Sequence, residues 1–434
     1  MFKLNILTQT ANDEFLLEHF SGTEELSKLY EFDLALLSQQ SDVKLKSLIG
    51  SQATIEIELS NGSFRYINGY VQRFSTQGSD GGYVRYAAVL GPWLWMLTCR
   101  FDTRIFQEKS VQAVVSEVFA GFGTLAKYEF RVSKSLKSHS YITQYRESDF
   151  NFVQRLLESE GLFYYFEHTA DSHLMVITDD SSTLLPLPEQ PQIRYHSASV
   201  TETADSITQW QSTRQLQSGQ IAVRTFDYRQ PRNFLPVTMQ SLNQQGDVDR
   251  FEIYDFPGQY THGSYEDGEA IVRNRIEALE LMGKTFYGES NCRAMKPGYT
   301  FELIQHYLHD TGDAENRKFL LLSVEHRGSN NYMTGDQAGY VNRFVCVRKK
   351  IAYRPQLNTR KPLINGPQTA IVVGPPGEEI FTDELGRVKL QFHWDRQGQF
   401  NDHSSCWVRV AQSGASGGFG SIQIPRVGDE VVVV

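Results

Sequence analysis

Ala53-Thr54-Ile55-Glu56-Ile57-Glu58-Leu59, then Tyr66-Ile67-Asn68-Gly69-Tyr70-Val71, then Tyr83-Val84-Arg85-Tyr86-Ala87-Ala88-Val89-Leu90, largely alternate apolar and polar side chains. Successive side chains of a strand point to opposite faces, so this period of two marks half-buried antiparallel strands. The turn residues Gly78-Ser79-Asp80-Gly81-Gly82 separate the last two runs and predict a hairpin loop. The same alternation recurs from the first residues, where residues 1–10 read as a strand, to Arg387-Val388-Lys389-Leu390-Gln391-Phe392-His393-Trp394, in which every even position is apolar. Aromatic content of 12%, with 27 Phe and 21 Tyr, suits pleated surfaces. The fold class is therefore mainly β, with a few helices.

Three helices interrupt the strands. Ser110 caps one whose Val111, Val114, Val115, Val118 and Phe119 share a stripe, with Gly121 beyond its end. Ser148 or Asp149 starts a second, with Phe152, Val153, Leu156 and Leu157 as its apolar face and Gly161 as its left-handed exit. A third covers about residues 267–282 and buries Ile271, Val272, Ile276 and Leu279. The second helix leads into a hairpin built from Leu162-Phe163-Tyr164-Tyr165-Phe166-Glu167 and His173-Leu174-Met175-Val176-Ile177-Thr178. Residues 355–366 lack periodicity and read as a linker. Beyond it, Arg387 to Trp394, Cys406-Trp407-Val408-Arg409-Val410-Ala411, Ile422-Gln423-Ile424 and residues 431–434 predict the short strands of a small barrel. Residues 69–90 and 320–347 share a strand, a loop rich in Gly, Asn or Ser, and a second strand opening on Tyr-Val, a weak internal repeat.

At 434 residues the chain has room for about three domains. No apolar run of the roughly 18 residues needed to span a bilayer occurs, and the first residues do not form a signal-peptide core. A net charge of −9, with no Lys/Arg run longer than Arg348-Lys349-Lys350, argues against nucleic acid as a partner. Cys99, Cys292, Cys346 and Cys406 are widely spaced and suit buried thiols rather than a metal or disulfide frame.

Candidate catalytic patterns resolve into structural ones. Gly414-Ala415-Ser416-Gly417-Gly418 matches a nucleophile elbow, but no helix follows it and no His lies beyond His403, so it reads as a loop. His306, His309 and Asp310 have metal-ligand types on a strand running into a turn, without the third ligand and orienting shell that a metal requires. Glu147 and Asp149 flank a helix N-terminus, where negative charge is favoured. Glu158 and Glu160 fall off the apolar stripe and read as solvated. Trp394 and Trp407 could stack on bases, but residues 365–434 carry five Lys/Arg against eight Asp/Glu, so burial is expected instead. No phosphate-binding loop is present. No catalytic, cofactor-binding or metal-ligating residue is assigned, and no cofactor.

Four strings carry a resemblance to a known family. They are Tyr145-Arg146-Glu147-Ser148-Asp149-Phe150-Asn151-Phe152 continuing to His168, Phe381-Thr382-Asp383-Glu384-Leu385-Gly386-Arg387 continuing to Arg396, Ser405-Cys406-Trp407-Val408-Arg409-Val410, and Ile424-Pro425-Arg426-Val427-Gly428-Asp429-Glu430-Val431. In them the chain resembles the VgrG spike proteins of type VI secretion, related to the hub and spike of contractile phage tails. The resemblance implies a phage tail-hub-like region over residues 1–364 with two tube-like β-barrels, and an OB-fold collar over residues 365–434. It implies a non-catalytic homotrimer capping a hexameric Hcp tube, with baseplate proteins, a PAAR-type tip and effectors as further partners. A needle is expected past Val434, and export through the type VI machine from the cytoplasm without stable membrane insertion. Two alternatives accompany this reading: a glycan-hydrolysing spike, and the hub of a phage tail itself.

Overall fold

The computed structural model describes residues 2–7, 15–80, 82–196, 204–233, 235–242, 251–258, 262–310, 313–330, 332 and 338–434. Residues 8–10 of the first predicted strand, Gly81 of the predicted loop and most of the loop before Tyr340 lie outside them. The chain forms two compact units. The larger holds residues 1–96, 124–134 and 157–358, and the smaller holds residues 97–123, 135–156 and 359–434. Among the described residues no helix is long and apolar enough to cross a membrane.

The larger unit is organised by one twelve-stranded sheet. Its strands in chain order are β1 Phe2–Leu7, β2 Leu16–Glu25, β3 Glu31–Ser38, β4 Gln52–Glu58, β5 Phe64–Asp80, β6 Tyr83–Gly91, β7 Gln192–Tyr195, β8 Ser206–Arg214, β9 Lys284–Ser290, β10 Thr300–Ile304, β11 Lys318–Ser329 and β12 Gly339–Arg348. The hairpin that opened the sequence reading is β4–β5–β6, paired antiparallel with Ile55 opposite Ile67 and Phe74 opposite Ala88. Six strands run in the order β1-β4-β5-β6-β3-β2. The other six run β11-β10-β7-β8-β9-β12, and β12 returns to pair with β11, so this second barrel closes on itself through hydrogen bonds. Closure removes the exposed edges that otherwise invite pairing with other chains. Within this sheet, among the described residues, β7 alone pairs in parallel, with β8 and β10.

The first barrel closes differently. Among the described residues β1 and β2 share no ladder, and the side chain of Asn330, just past the end of β11, bridges them. Its amide nitrogen donates to the carbonyls of Phe2 and Leu17, both at 2.8 Å, and its oxygen accepts from the Phe2 backbone N–H at 3.2 Å. One buried side-chain amide thus satisfies backbone groups of both strands.

Each barrel is filled by the inward half of the alternating pattern. Phe20, Phe32, Leu34, Ile55, Ile57, Ile67 and Leu90 are buried in the first. Phe286, Phe301, Phe319, Phe344 and Cys346 fill the second around Trp210. Trp210 meets Phe319 edge-on at 4.8 Å, a favoured aromatic geometry. The two barrels are continuous because β2 pairs with β11, Glu24 lying opposite Val324 and Gly22 opposite His326. The helix–hairpin reading holds, with strands Phe163–His168 and His173–Thr178 antiparallel. A third strand that the sequence reading did not anticipate, Tyr128–Arg131, adds in parallel to their outer edge.

Besides a single helical turn at Leu45–Leu48, the described helices are α1 Val111–Ala120, α2 Asp149–Glu160 and α3 Tyr265–Gly283. Ser110 caps α1 by accepting from the Ala113 N–H, and its five predicted apolar residues are all buried. The Ser148 hydroxyl accepts from the Asn151 N–H at the start of α2. Gly161, at φ 70°, takes the left-handed exit. α3 packs Val272 and Ile276 onto Ile221, Val223 and Val237 of a small three-stranded sheet.

In the smaller unit, strands Phe101–Ser110 and Ser138–Ser148 form a ribbon. A separate sheet has the order Lys389–Phe392, Gln368–Val373, Glu430–Val433. This end differs from its sequence reading. Trp394 falls in a turn rather than a strand, because its indole donates to Gln368 Oε1 and its ring meets Tyr145 at 5.5 Å. Residues 406–411 contribute one isolated bridge, Val388 to Val408, and Ile422 to Ile424 is irregular. Residues 355–366 are irregular, as expected of a linker.

Candidate functional site

The strands of the larger unit bring a cluster of charged and titratable side chains into its interior. Glu24 follows Phe20 and Gly22 on the inward face of β2, Arg65 shares the face of Ile67 on β5, and His326 follows Val324 on β11. Arg65 is 4% exposed, Glu24 6% and His326 0%. The Arg65 guanidinium donates to the Glu24 carboxylate and to the backbone carbonyls of Arg293 (3.1 Å) and Met295 (2.6 Å). It therefore ties β2 and β5 of the first barrel to the segment that leaves β9 of the second. His326 Nε2 donates to Glu24 at 2.9 Å, and the Tyr340 hydroxyl 2.7 Å from its Nδ1 completes a neutral tautomer. His168 Nε2 stands 3.6 Å from the other Glu24 oxygen, while its Nδ1 accepts from the Asn68 N–H at 3.1 Å.

Burial pushes the Glu24 carboxyl up, but the Arg65 guanidinium and the two imidazoles outweigh it and hold the group well below the usual carboxylate range. Burial, and then the Arg65 charge, lower the pKa of His326. One cation, one anion and the His326 imidazole between the two barrels form a charge-balanced node. An ion pair this dry contributes little net stability but penalises any arrangement that separates its members. It can hold two barrels in one register, and it offers no open position to a substrate.

The sequence-flagged motifs fall into place around such pins. Asp149 is fully buried and accepts from Arg100, from Gln144 at 2.8 Å and from Arg104 at 3.4 Å. Glu147 holds Arg155 of α2 at 2.6 Å. Both carboxylates anchor the start of α2. Glu158, expected in solvent, is buried, while Glu160 is half-buried. His306 and His309, expected on opposite faces, meet with ring centroids 4.7 Å apart and planes tilted by 40°, because the chain turns back at residues 306–310. Neither imidazole turns its lone pair outward: His306 Nδ1 accepts from the Leu308 N–H, and His309 Nε2 from the Trp210 indole at 3.3 Å. Together with Tyr195 they plug one end of the second barrel. No group of three or more His, Cys, Asp or Glu with metal-binding geometry occurs among the described residues.

Gly414 to Gly418 contains half of a tight hairpin, Ala415–Ser416 against Phe419–Gly420, as the loop reading requires. Trp407 is partly buried against Phe381 at 5.1 Å, with Lys389 over its ring. Cys292 and Cys346 are buried, whereas Cys99 is exposed. Asp383 closes a turn by accepting from the Leu385 and Arg387 N–H groups, Gly386 supplying the positive φ. The Ser405 hydroxyl accepts from the Leu390 N–H, and Gly428 and Asp429 bond the backbone of Val372. Three separate strings thus interlock in one small sheet domain.

Residues 23–332 match the phage tail baseplate hub family. The chain belongs to this family. Residues 380–434 match the type VI secretion system/phage-baseplate injector OB domain. The type VI secretion system spike protein VgrG1b of Pseudomonas aeruginosa is 36% identical over 422 residues, 96% of this chain and 56% of the relative. VgrG1a of the same organism is 35% identical over 97% of this chain and 65% of its own length. The chain thus spans between about half and two thirds of these VgrG relatives. In fold it is similar to an E. coli component of the type VI secretion system with structural similarity to the T4 tail proteins gp27 and gp5. The TM-score is 0.68 at 17% identity, covering 100% of this chain and 96% of that one. The hub-like fold with its C-terminal OB-fold is the architecture expected from the sequence.

Proposed function

We propose that the chain is the structural hub of a type VI secretion puncturing spike. Three copies would present six barrels in a ring, two from each chain, matching a hexameric tube ring. The observation carrying this reading is the continuous β2–β11 pairing, which turns two barrels into one rigid body. Rigidity is what transmission of a thrust demands, and closed sheets supply it. Residues 1–364 serve as the hub and residues 365–434 as the OB collar. A needle, a PAAR-type tip, effectors and baseplate proteins would assemble on the trimer, which leaves the cytoplasm through the machine it belongs to. No residue is assigned to catalysis, to a cofactor or to a metal. The barrel interiors are filled with aromatic side chains, and the paired Glu147 and Asp149 have structural duties.

Electron microscopy of the chain mixed with hexameric tube protein tests the reading. Three-fold caps at tube ends are expected, and tubes that stay uncapped at saturating protein would overturn it. Assembly on phage tail tubes but not on secretion tubes would favour the tail-hub alternative. A glycan-hydrolysing spike predicts peptidoglycan turnover abolished by Glu158→Gln and Glu160→Gln, and we expect none to be present to lose.

A further inference from the structure

Cations gather at one mouth of the second barrel. β8 ends on Arg214, β9 begins on Lys284 and β12 ends on Arg348, and the three strands are neighbours in the sheet. Arg214 pairs directly with Lys284. Phe286 pairs with Cys346 on an antiparallel ladder, so two residues further on Lys284 and Arg348 come level. Both keep the register of Phe286 and Cys346, which fill the barrel, and Arg348 lies opposite the buried Phe319. Arg348 Nη1 and Lys350 Nζ donate to one oxygen, Asn316 Oδ1, at 3.1 and 3.0 Å. The Arg348 Nε is buried and donates to no group among the described residues. Neighbouring carboxylates are engaged elsewhere: Glu302 and Asp310 face Arg317, and Glu315 holds Lys318. Among the described residues none of the four cations has a carboxylate partner. Burial lowers the pKa of Lys284, and the charges of Arg348, Arg214 and Lys350 lower it further. Lys284 directly follows α3, whose C-terminus favours a cation, but that dipole offsets only about half a charge. The arrangement therefore holds like charges together against their repulsion, in a chain whose net charge is −9.

We propose that this barrel mouth is a binding site for a small phosphate-class anion, free or carried on a nucleotide, held by Arg214, Lys284, Arg348 and Lys350. The inference stands apart from the trimeric reading above. Guanidinium forks match the oxygens of a phosphate, and a lysine adds a point charge beside them. A phosphate brings close to two negative charges, whereas a lone carboxylate would leave most of the cluster uncompensated. Access is open, since Arg214 and Lys350 are exposed while Lys284 and Arg348 are half-buried. The charges of Arg348 and Lys284 also reach His309, so the anion would rest over the histidine plug. Bound there, it braces the ends of β8, β9 and β12 against one another and undergoes no reaction.

Calorimetric titration and thermal melts of the full chain test this, in chloride buffer at fixed ionic strength. The probes are inorganic phosphate, pyrophosphate, ATP and an oligoglutamate peptide. Saturable binding of the phosphate compounds is expected, with a matching rise in melting temperature. Arg214→Gln and Lys284→Gln should each weaken that binding about tenfold. Without phosphate, Arg214→Gln should melt level with wild type or above it, because a repelling charge has gone. Tighter binding of pyrophosphate and ATP than of phosphate upholds the site with a polyphosphate as its ligand, and equal binding upholds it with free phosphate. Absence of saturable binding by any phosphate compound overturns the proposal, as does binding that both variants leave unchanged. Oligoglutamate binding as tightly as pyrophosphate overturns it in favour of an acidic protein partner. A lower melting temperature of Arg214→Gln in phosphate-free buffer overturns it too, because the cation would then serve the fold.

Discussion

At the scale of single residues, the larger unit depends on polar side chains placed where the alternating pattern calls for apolar ones. Arg65 and Glu24 neutralise each other out of water, so removing one strands the other. Arg65→Met is expected to lower unfolding stability by about 3–5 kcal/mol in a urea titration, with much of that recovered when Glu24→Gln is added. Loss of less than about 1 kcal/mol in the single variant would show that the node is not dry. The histidine plug makes a pH prediction. Burial, and then the charges of His306, Arg348 and Lys284, push His309 down to about 4. The unfolded imidazole takes up its proton near pH 6.5. The stability contributed by neutral His309 is therefore complete above pH 6.5 and is lost as pH falls toward 4. Wild type should lose more stability over that interval than His309→Gln, and equal losses would refute the assignment. The sequence carried a signal for the node: Arg65 precedes Ile67 and Glu24 follows Phe20 in the inward register, and a charge in that register is an anomaly. It carried no signal that the three strands converge, because that depends on pairings between residues about 300 positions apart.

At the scale of elements, the strands and helices follow local rules, and the exceptions sit where a tertiary contact overrules them. α1 is where its Ser110 cap and apolar stripe place it, because both signals are local. Trp394 departs from its alternating strand because Tyr145 and Gln368, far away in the chain, offer its indole a better home. The seam between β1 and β2 is bridged by Asn330. Asn330→Leu should orphan the buried Phe2 N–H and the Phe2 and Leu17 carbonyls, at about 1–3 kcal/mol for each group left without a partner. Hydrogen exchange would show this as faster exchange in β1 with the second barrel unaffected. Equal protection in the variant would mean that the seam closes without the amide. Gly22 tests the β2–β3 pairing in another way. A Cβ there would lie 2.3 Å from the Phe32 ring and 2.4 Å from the Glu31 carbonyl oxygen, so Gly22→Ala should cost about 1–3 kcal/mol through overpacking.

At the scale of the whole molecule, the shared β2–β11 ladder makes the two barrels one cooperative body. Native-state exchange in rising denaturant should therefore report one opening free energy for the β4–β5 and β9–β12 amides, and two well-separated values would contradict it. The period-two pattern, the helix caps and the four long strings determined the class of fold, the positions of the helices and the family, since all of these are written in neighbouring residues. Tertiary structure alone decided that the second barrel closes fully while one asparagine bridges β1 and β2 of the first, that a buried charge node joins them, and that cations gather at one barrel mouth. Those outcomes depend on which distant strands meet and on what water is excluded when they do. A linear pattern fixes which face of a strand is apolar, but not which other face it will be pressed against.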